Sequence, residues 1–122
     1  MSLPLAGQDC PSIAATLKQL YERPGEIEAV HAEVVAACPS HLDTLSIAYH
    51  KRSVYAFSSG EGLAPAIAFA QRALAVQQEL YRDTMALPLA KSLYNLGLFY
   101  RNDYQPLVAK RYLARAEKAF VQ

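Results

Sequence analysis

The chain has 122 residues, 52% of them hydrophobic and 19% charged, with a formal net charge of +1. That length suits one domain with a modest core. The charge balance lacks the basic excess of a nucleic-acid binder, no apolar run approaches the roughly 18 residues of a membrane span, and no basic-then-apolar leader opens the chain. Charge is nevertheless uneven along it, with four Lys/Arg against seven Asp/Glu in residues 1–61 and eight against four in residues 62–122.

Sustained period-2 alternation is absent, and Ala, Leu, Gln, Glu, Lys and Arg fill the long segments, so the chain is predicted to be all-α. A first helix starts after Asp9-Cys10, with Pro11 in its first turn, where a missing N–H costs nothing. It carries Ile13, Leu17 and Leu20-Tyr21 and ends at Glu22-Arg23. The second, Pro24 to Ala37, turns Ile27, Val30, Val34 and Val35 inward, and its early glutamates oppose the positive end of the helix dipole. Cys38-Pro39-Ser40 stops it, and Ser40 with Asp43 has the spacing of an acidic capping box. Cys10 and Cys38 lie 28 residues apart and match neither a disulfide framework nor a metal-ligand pattern. Reduced thiols and a cytoplasmic setting are therefore expected.

The third helix covers His41 to Ser58 with a face of Leu45, Ala48, Tyr49, Arg52, Tyr55 and Ala56. Ser59-Gly60-Glu61-Gly62 is the clearest loop. The fourth helix runs from Leu63 to Tyr81, its alanines 66, 70 and 73 forming a face of small residues. After a crossing at Arg82 to Leu87, the fifth extends from Pro88 to Arg101, with Leu93, Leu96, Gly97 and Tyr100 as its stripe. A mid-helix glycine costs roughly 1 kcal/mol against alanine, so Gly97 is expected to admit a second backbone, with Ala109 and Ala116 as the small residues facing it. The sixth helix runs from Gln105-Pro106 to Phe120. Six helices joined by short turns make antiparallel helix hairpins.

A repeat is visible within them. Sliding the sequence by 43 residues sets Ala66 on Ala109, Ala70 on Leu113 and Ala73 on Ala116, and by the same step Val54 on Gly97 and Phe57 on Tyr100. At these positions the chain resembles the tetratricopeptide repeat family. Leu96-Gly97-x-x-Tyr100, then Ala109, Leu113 and Ala116, follow that family's two-helix signature. Pro88 to Leu96, with the extended LAVQQELY of the fourth helix, is similar to the 42-residue variety found in kinesin light chains. The sequence departs from the pattern at Val54, where a small residue is expected, and at Pro106.

The resemblance implies a single domain over 1–122, an α-solenoid of three stacked helix hairpins. These are a degenerate first pair at 11–40, a second at 41–82 and a third at 86–120; the family reading also allows an adaptor or the regulatory segment of a larger signalling protein. It also implies a non-enzymatic module that binds a protein or peptide partner in a concave groove. Carried over by position, the groove residues are Ala48, Lys51, Arg52 and Tyr55 on the third helix and Lys91, Tyr94, Asn95, Leu98, Arg101 and Asn102 on the fifth. Asn95 would hydrogen-bond the partner's backbone, and the cations would favour an acidic peptide. The paired asparagines and cations of the family's carboxylate clamp are incomplete, so chaperone-tail binding is not implied.

Other functions find little support. His31, His41 and His50 form no zinc-binding spacing, Glu28 suggests a surface pair for His31, and no phosphate-cradling loop or nucleophile motif occurs. No metal and no cofactor is expected. Two alternatives stay open: a closed helical bundle with a small ligand in its core, and a helical repeat that stacks RNA bases on Tyr81, Tyr94, Tyr100, Tyr104 and Tyr112. Leu113, Phe120 and Val121 near the end of the last helix suggest self-association there, because solenoids need a polar cap.

Overall fold

A computed structural model describes residues 10–17, 26–81 and 87–120. Its helices are α1 (Cys10–Leu17), α2 (Glu26–Ala37), α3 (Leu42–Ser58), α4 (Leu63–Leu80), α5 (Leu87–Asn102) and α6 (Pro106–Phe120), and no strand occurs among the described residues. The expected continuation of the first helix to Arg23, the expected start of the second at Pro24 and residues 82–86 of the crossing lie outside those residues. Pro39–His41 forms a short 3-10 turn before α3. The capping box is not made: His41 takes the N-cap position without a side-chain bond, and the Asp43 carboxylate instead accepts the N–H of Thr44 at 2.8 Å.

Two apolar clusters hold the helices. In the first, Ile13 and Leu17 of α1 meet Ile27, Val30 and Val34 of α2, and Leu45, Ala48 and Tyr49 of α3. In the second, Ala66, Ala70 and Leu74 of α4 meet Leu89, Leu93, Leu96 and Phe99 of α5, and Ala116 and Ala119 of α6. Each such leucine or isoleucine contributes roughly 1.5–3 kcal/mol by leaving water. α4 joins the clusters, because Ala73 belongs to the first while its neighbours belong to the second. Val35, expected to point inward, is 54% exposed.

The cysteine expectation is overturned. Cys10 and Cys38 form a disulfide, their Cα atoms 5.6 Å apart. α1 packs against both α2 and α3, which brings the start of α1 to the end of α2. No spacing motif records that return. Disulfides persist in oxidising compartments, so the reducing setting expected from the cysteine spacing loses its support. No helix among the described residues is long and apolar enough to cross a membrane.

The two well-formed helix pairs, α3–α4 and α5–α6, repeat with a different register from the uniform 43-residue step. The buried positions of α3 are Leu45, Ser46, Ala48, Tyr49, Arg52, Ser53 and Ala56, and those of α5 are Leu89, Ala90, Ser92, Leu93, Leu96, Gly97 and Phe99. Six of the seven coincide at a step of 44; Ala56 and Phe99 instead fall on the half-buried Tyr100 and Tyr55. The backbone agrees. α3 ends with Glu61 N–H bonded to Ala56 C=O and Gly60 at φ 85°, and α5 ends with Gln105 N–H bonded to Tyr100 C=O and Tyr104 at φ 58°. Both are Schellman-type stops with the left-handed residue just past the helix. The step returns to 43 in α4 and α6, because four residues separate α3 from α4 and three separate α5 from α6. Ser53, fully buried, is therefore the counterpart of Gly97. Val54, 42% exposed, is not, and the apparent departure at Val54 disappears.

Gly97 does permit a close approach, though the facing residue differs from expectation. A Cβ placed on it would lie 2.6 Å from both Cγ and Cδ2 of Leu113 and 3.3 Å from the Leu113 backbone nitrogen. Ala109 and Ala116 are buried on either side of that contact.

Candidate partner-binding groove

α3 and α5 meet through side chains. Phe57 and Phe99 pack with ring centroids 5.2 Å apart, and Asn95 Nδ2 lies 3.4 Å from His50 Nε2. Beside this seam the exposed side of α3 carries an open depression of about 420 Å³ lined by His50, Lys51, Val54, Tyr55 and Ser58. Lys51 and Tyr55 were expected there from the sequence. His50, Val54 and Ser58 were not, and the 44-residue step explains why: Tyr94, Asn95, Leu98 and Asn102 of α5 correspond to those residues and Lys51 on α3.

Arg52 and Ala48 are corrections. Both are only 2% exposed and face inward. Arg52 donates Nη1 and Nη2 to the two carboxylate oxygens of Glu61 at 2.9 and 2.7 Å, and its guanidinium lies over the rings of Phe69 at 4.7 Å and Tyr55 at 5.6 Å. The hydrogen bonds from Arg52 hold the Glu61 carboxyl below its ordinary range. A guanidinium engaged in this way cannot receive a partner's carboxylate. It fastens the α3–α4 turn instead.

On α5, Lys91 is exposed and Asn95 and Leu98 are half-buried. Tyr94 is also exposed, its ring meeting Phe120 edge-on at 6.4 Å. Asn102 bonds its own helix through Leu98 C=O at 2.9 Å. Arg101 stands apart, lining a second depression of about 390 Å³ with Lys110, Leu113, Ala114 and Glu117. Of the sites expected from sequence, Lys51 and Tyr55 share the α3 depression, Asn95 reaches its His50, Lys91, Tyr94 and Leu98 stand on the accessible side of α5, Arg101 is outlying and Arg52 is buried. None of Lys51, Lys91 and Arg101 is ion-paired among the described residues.

His50 is the residue that sequence reasoning weighed only as a metal ligand. Among the described residues no group of three His, Cys, Asp or Glu side chains could hold a metal ion. Burial, and secondarily the Lys91 ammonium, lower the pKa of the imidazole from its ordinary value. His31 also differs from expectation: its Nδ1 is 2.7 Å from the Tyr49 hydroxyl, while Glu28 forms an ion pair with Arg72 of α4. Tyr100 and Tyr112 stack on each other with centroids 5.4 Å apart, and Gln71 donates to both hydroxyls. Their facing surfaces are occupied by one another, not offered to a base.

At the positions where α4 has Ile67 and Leu74 in the second cluster, α6 has Lys110 and Glu117, both exposed, and Leu107 and Phe120 of α6 are exposed as well. Leu113 is half-buried over Gly97, and Val121 lies outside the described residues. Compared with known proteins, the chain matches no family model, and no curated protein or solved structure is significantly similar to it.

Proposed function

We propose that this chain is a non-enzymatic helical-repeat module, a solenoid of tetratricopeptide-like antiparallel hairpins. It would bind an extended peptide or a helix of a protein partner along the α3–α5 face. The observation that carries this reading is the repeated register. Matching burial in α3 and α5, matching Schellman stops at Gly60 and Tyr104, and matching small-residue faces in α4 and α6 describe one hairpin unit used twice. Stacking such units sets their first helices side by side, as the Asn95–His50 and Phe57–Phe99 contacts suggest. The face so formed combines exposed apolar groups with cations, the composition of a peptide-binding surface.

Selection from a twelve-residue peptide display library tests the binding. Lys51→Ala with Asn95→Ala is expected to weaken the selected peptides about tenfold or more, equivalent to about 1.4 kcal/mol, with the helical melt unchanged. Arg111→Ala, on the exposed side of α6, is expected to leave affinity intact. The opposite pattern removes the groove assignment. Small-angle scattering tests the architecture, because a compact bundle of this length has a radius of gyration of about 14 Å and a solenoid exceeds it.

A further inference from the structure

We infer that the groove contains a proton-linked acid subsite: a partner's carboxylate docks between His50, Lys51 and Lys91, and its arrival protonates the His50 imidazole. This rests on the groove reading above and specifies the partner chemistry and its regulation. Three observations converge. His50 lines the α3 depression with Lys51, so its imidazole borders open space although half-buried. From α5, the groups that face it are Asn95, at 3.4 Å from Nε2, and Lys91, whose charge acts on it. Among the described residues the one charge that acts on His50 is that of Lys91, and of the helices packed against α3, α2 has its Glu28 paired with Arg72 of α4. α5 contains no acidic residue, and the one carboxylate of α3, Asp43, lies seven residues before His50, about 10 Å along the helix axis. Arg52, the other cation of α3, is buried and already paired with Glu61. The subsite therefore brings the Lys51 and Lys91 cations to the His50 imidazole, with Asn95 at its edge.

The chemistry follows from electrostatics. In the free groove, burial and Lys91 disfavour a charged imidazole. A carboxylate placed against His50 and Lys91 reverses the local field and stabilises the imidazolium, which donates a charge-assisted hydrogen bond to it. The proton comes from solvent, and one is taken up per complex. By linkage, affinity rises as pH falls through the interval between the free and bound pKa values of His50, by up to about tenfold per pH unit for one proton. Partner aspartates, with ordinary pKa about 3.9, stay ionised through that interval. A basic partner would meet Lys51 and Lys91 and be repelled.

The probe is a capped, fluorescein-labelled twelve-residue peptide alternating leucine and aspartate, with a leucine–lysine twin. Polarisation titrations run from pH 7.5 to 6.0, and the His50 imidazole proton is followed by NMR with and without peptide. The expected result is several-fold tighter binding of the aspartate peptide per pH unit, an upward displacement of the His50 titration on binding, and no binding of the lysine peptide. His50→Gln should weaken the aspartate peptide more at pH 6.0 than at pH 7.5 and so flatten the pH profile. Lys91→Gln should raise the His50 titration in the free protein and weaken the aspartate peptide, which keeps the test decisive if His50→Gln fails to fold. Aspartate-peptide binding with a flat pH profile or an unmoved His50 titration overturns the inference and leaves the groove reading standing. So does a groove that selects only neutral or basic library peptides. If no library peptide depends on Lys51 or Asn95, the groove reading itself fails and the subsite with it.

Discussion

Replacing Gly97 with alanine sets two effects of known sign against each other. Alanine favours the helix over glycine by about 0.8–1.0 kcal/mol, so an unobstructed site would be stabilised. At Gly97 the new methyl would stand 2.6 Å from Cγ and Cδ2 of Leu113, against the 3.5–4.0 Å of ordinary carbon contacts. Leu113 must move by about 1 Å, and the backbone nitrogen at 3.3 Å limits how far α6 can accommodate it. Overpacking of this kind costs about 1–3 kcal/mol, which leaves a net loss of roughly 1 kcal/mol and a melting temperature lower by about 4 °C for a chain of this size. The discriminating assay is a double-mutant cycle by urea unfolding. In a Leu113→Ala background the obstructing carbons are gone, and Gly97→Ala should become neutral or stabilising by up to about 1 kcal/mol. If Gly97→Ala has the same effect in both backgrounds, or stabilises the wild type, the α5–α6 approach is not set by this contact.

The register and the disulfide each make an independent prediction. Because Ser53 is fully buried and Val54 is 42% exposed, Ser53→Leu should destabilise by about 1–3 kcal/mol, whereas Val54→Ser should stay within about 0.5 kcal/mol. Chemical denaturation reads both, and the reverse ranking would restore the 43-residue alignment of α3 on α5. The Cys10–Cys38 bond closes a separation of 28 residues, which in the chain-entropy account stabilises by roughly 3.5 kcal/mol. Cys10→Ser with Cys38→Ser, or reduction, should lower the unfolding midpoint. Hydrogen exchange should quicken at Ile13 and Leu17 before it does at Leu93 and Leu96. Equal midpoints for oxidised and reduced protein would refute that role.

Much of the helical layout was legible because its determinants are local. Periodic leucines and alanines mark the helix faces, and Pro39, the Ser59–Gly62 loop and Pro106 mark boundaries that the structure places within a few residues. Gly97 was readable for the same reason, since a glycine inside an apolar stripe has few uses besides close approach. The candidate site was only half legible. Lys51, Tyr55, Lys91, Tyr94, Asn95 and Leu98 are accessible or half-buried on α3 and α5 as expected, but Arg52 turns inward and His50, weighed only as a metal ligand, lines the depression. A one-residue difference between two turns causes this, because a slip of one residue rotates a helical position by about 100° and turns an inward residue outward.

By itself the sequence determined an all-helical chain, the approximate extents of its helices and the position of a close helix–helix contact, since these depend on side-chain period and on breakers acting over one or two turns. Only the tertiary structure decided which polar residues are spent on the scaffold. Arg52 is buried because Glu61, nine residues on and across a turn, returns to meet both its terminal nitrogens. Cys10 and Cys38 are bonded because α1 packs back onto α2 and α3. His50 becomes a groove residue because Asn95 and Lys91 reach it from another helix. A polar group's fate follows from the partner that folding brings to it, and that partner leaves no periodic mark on the chain.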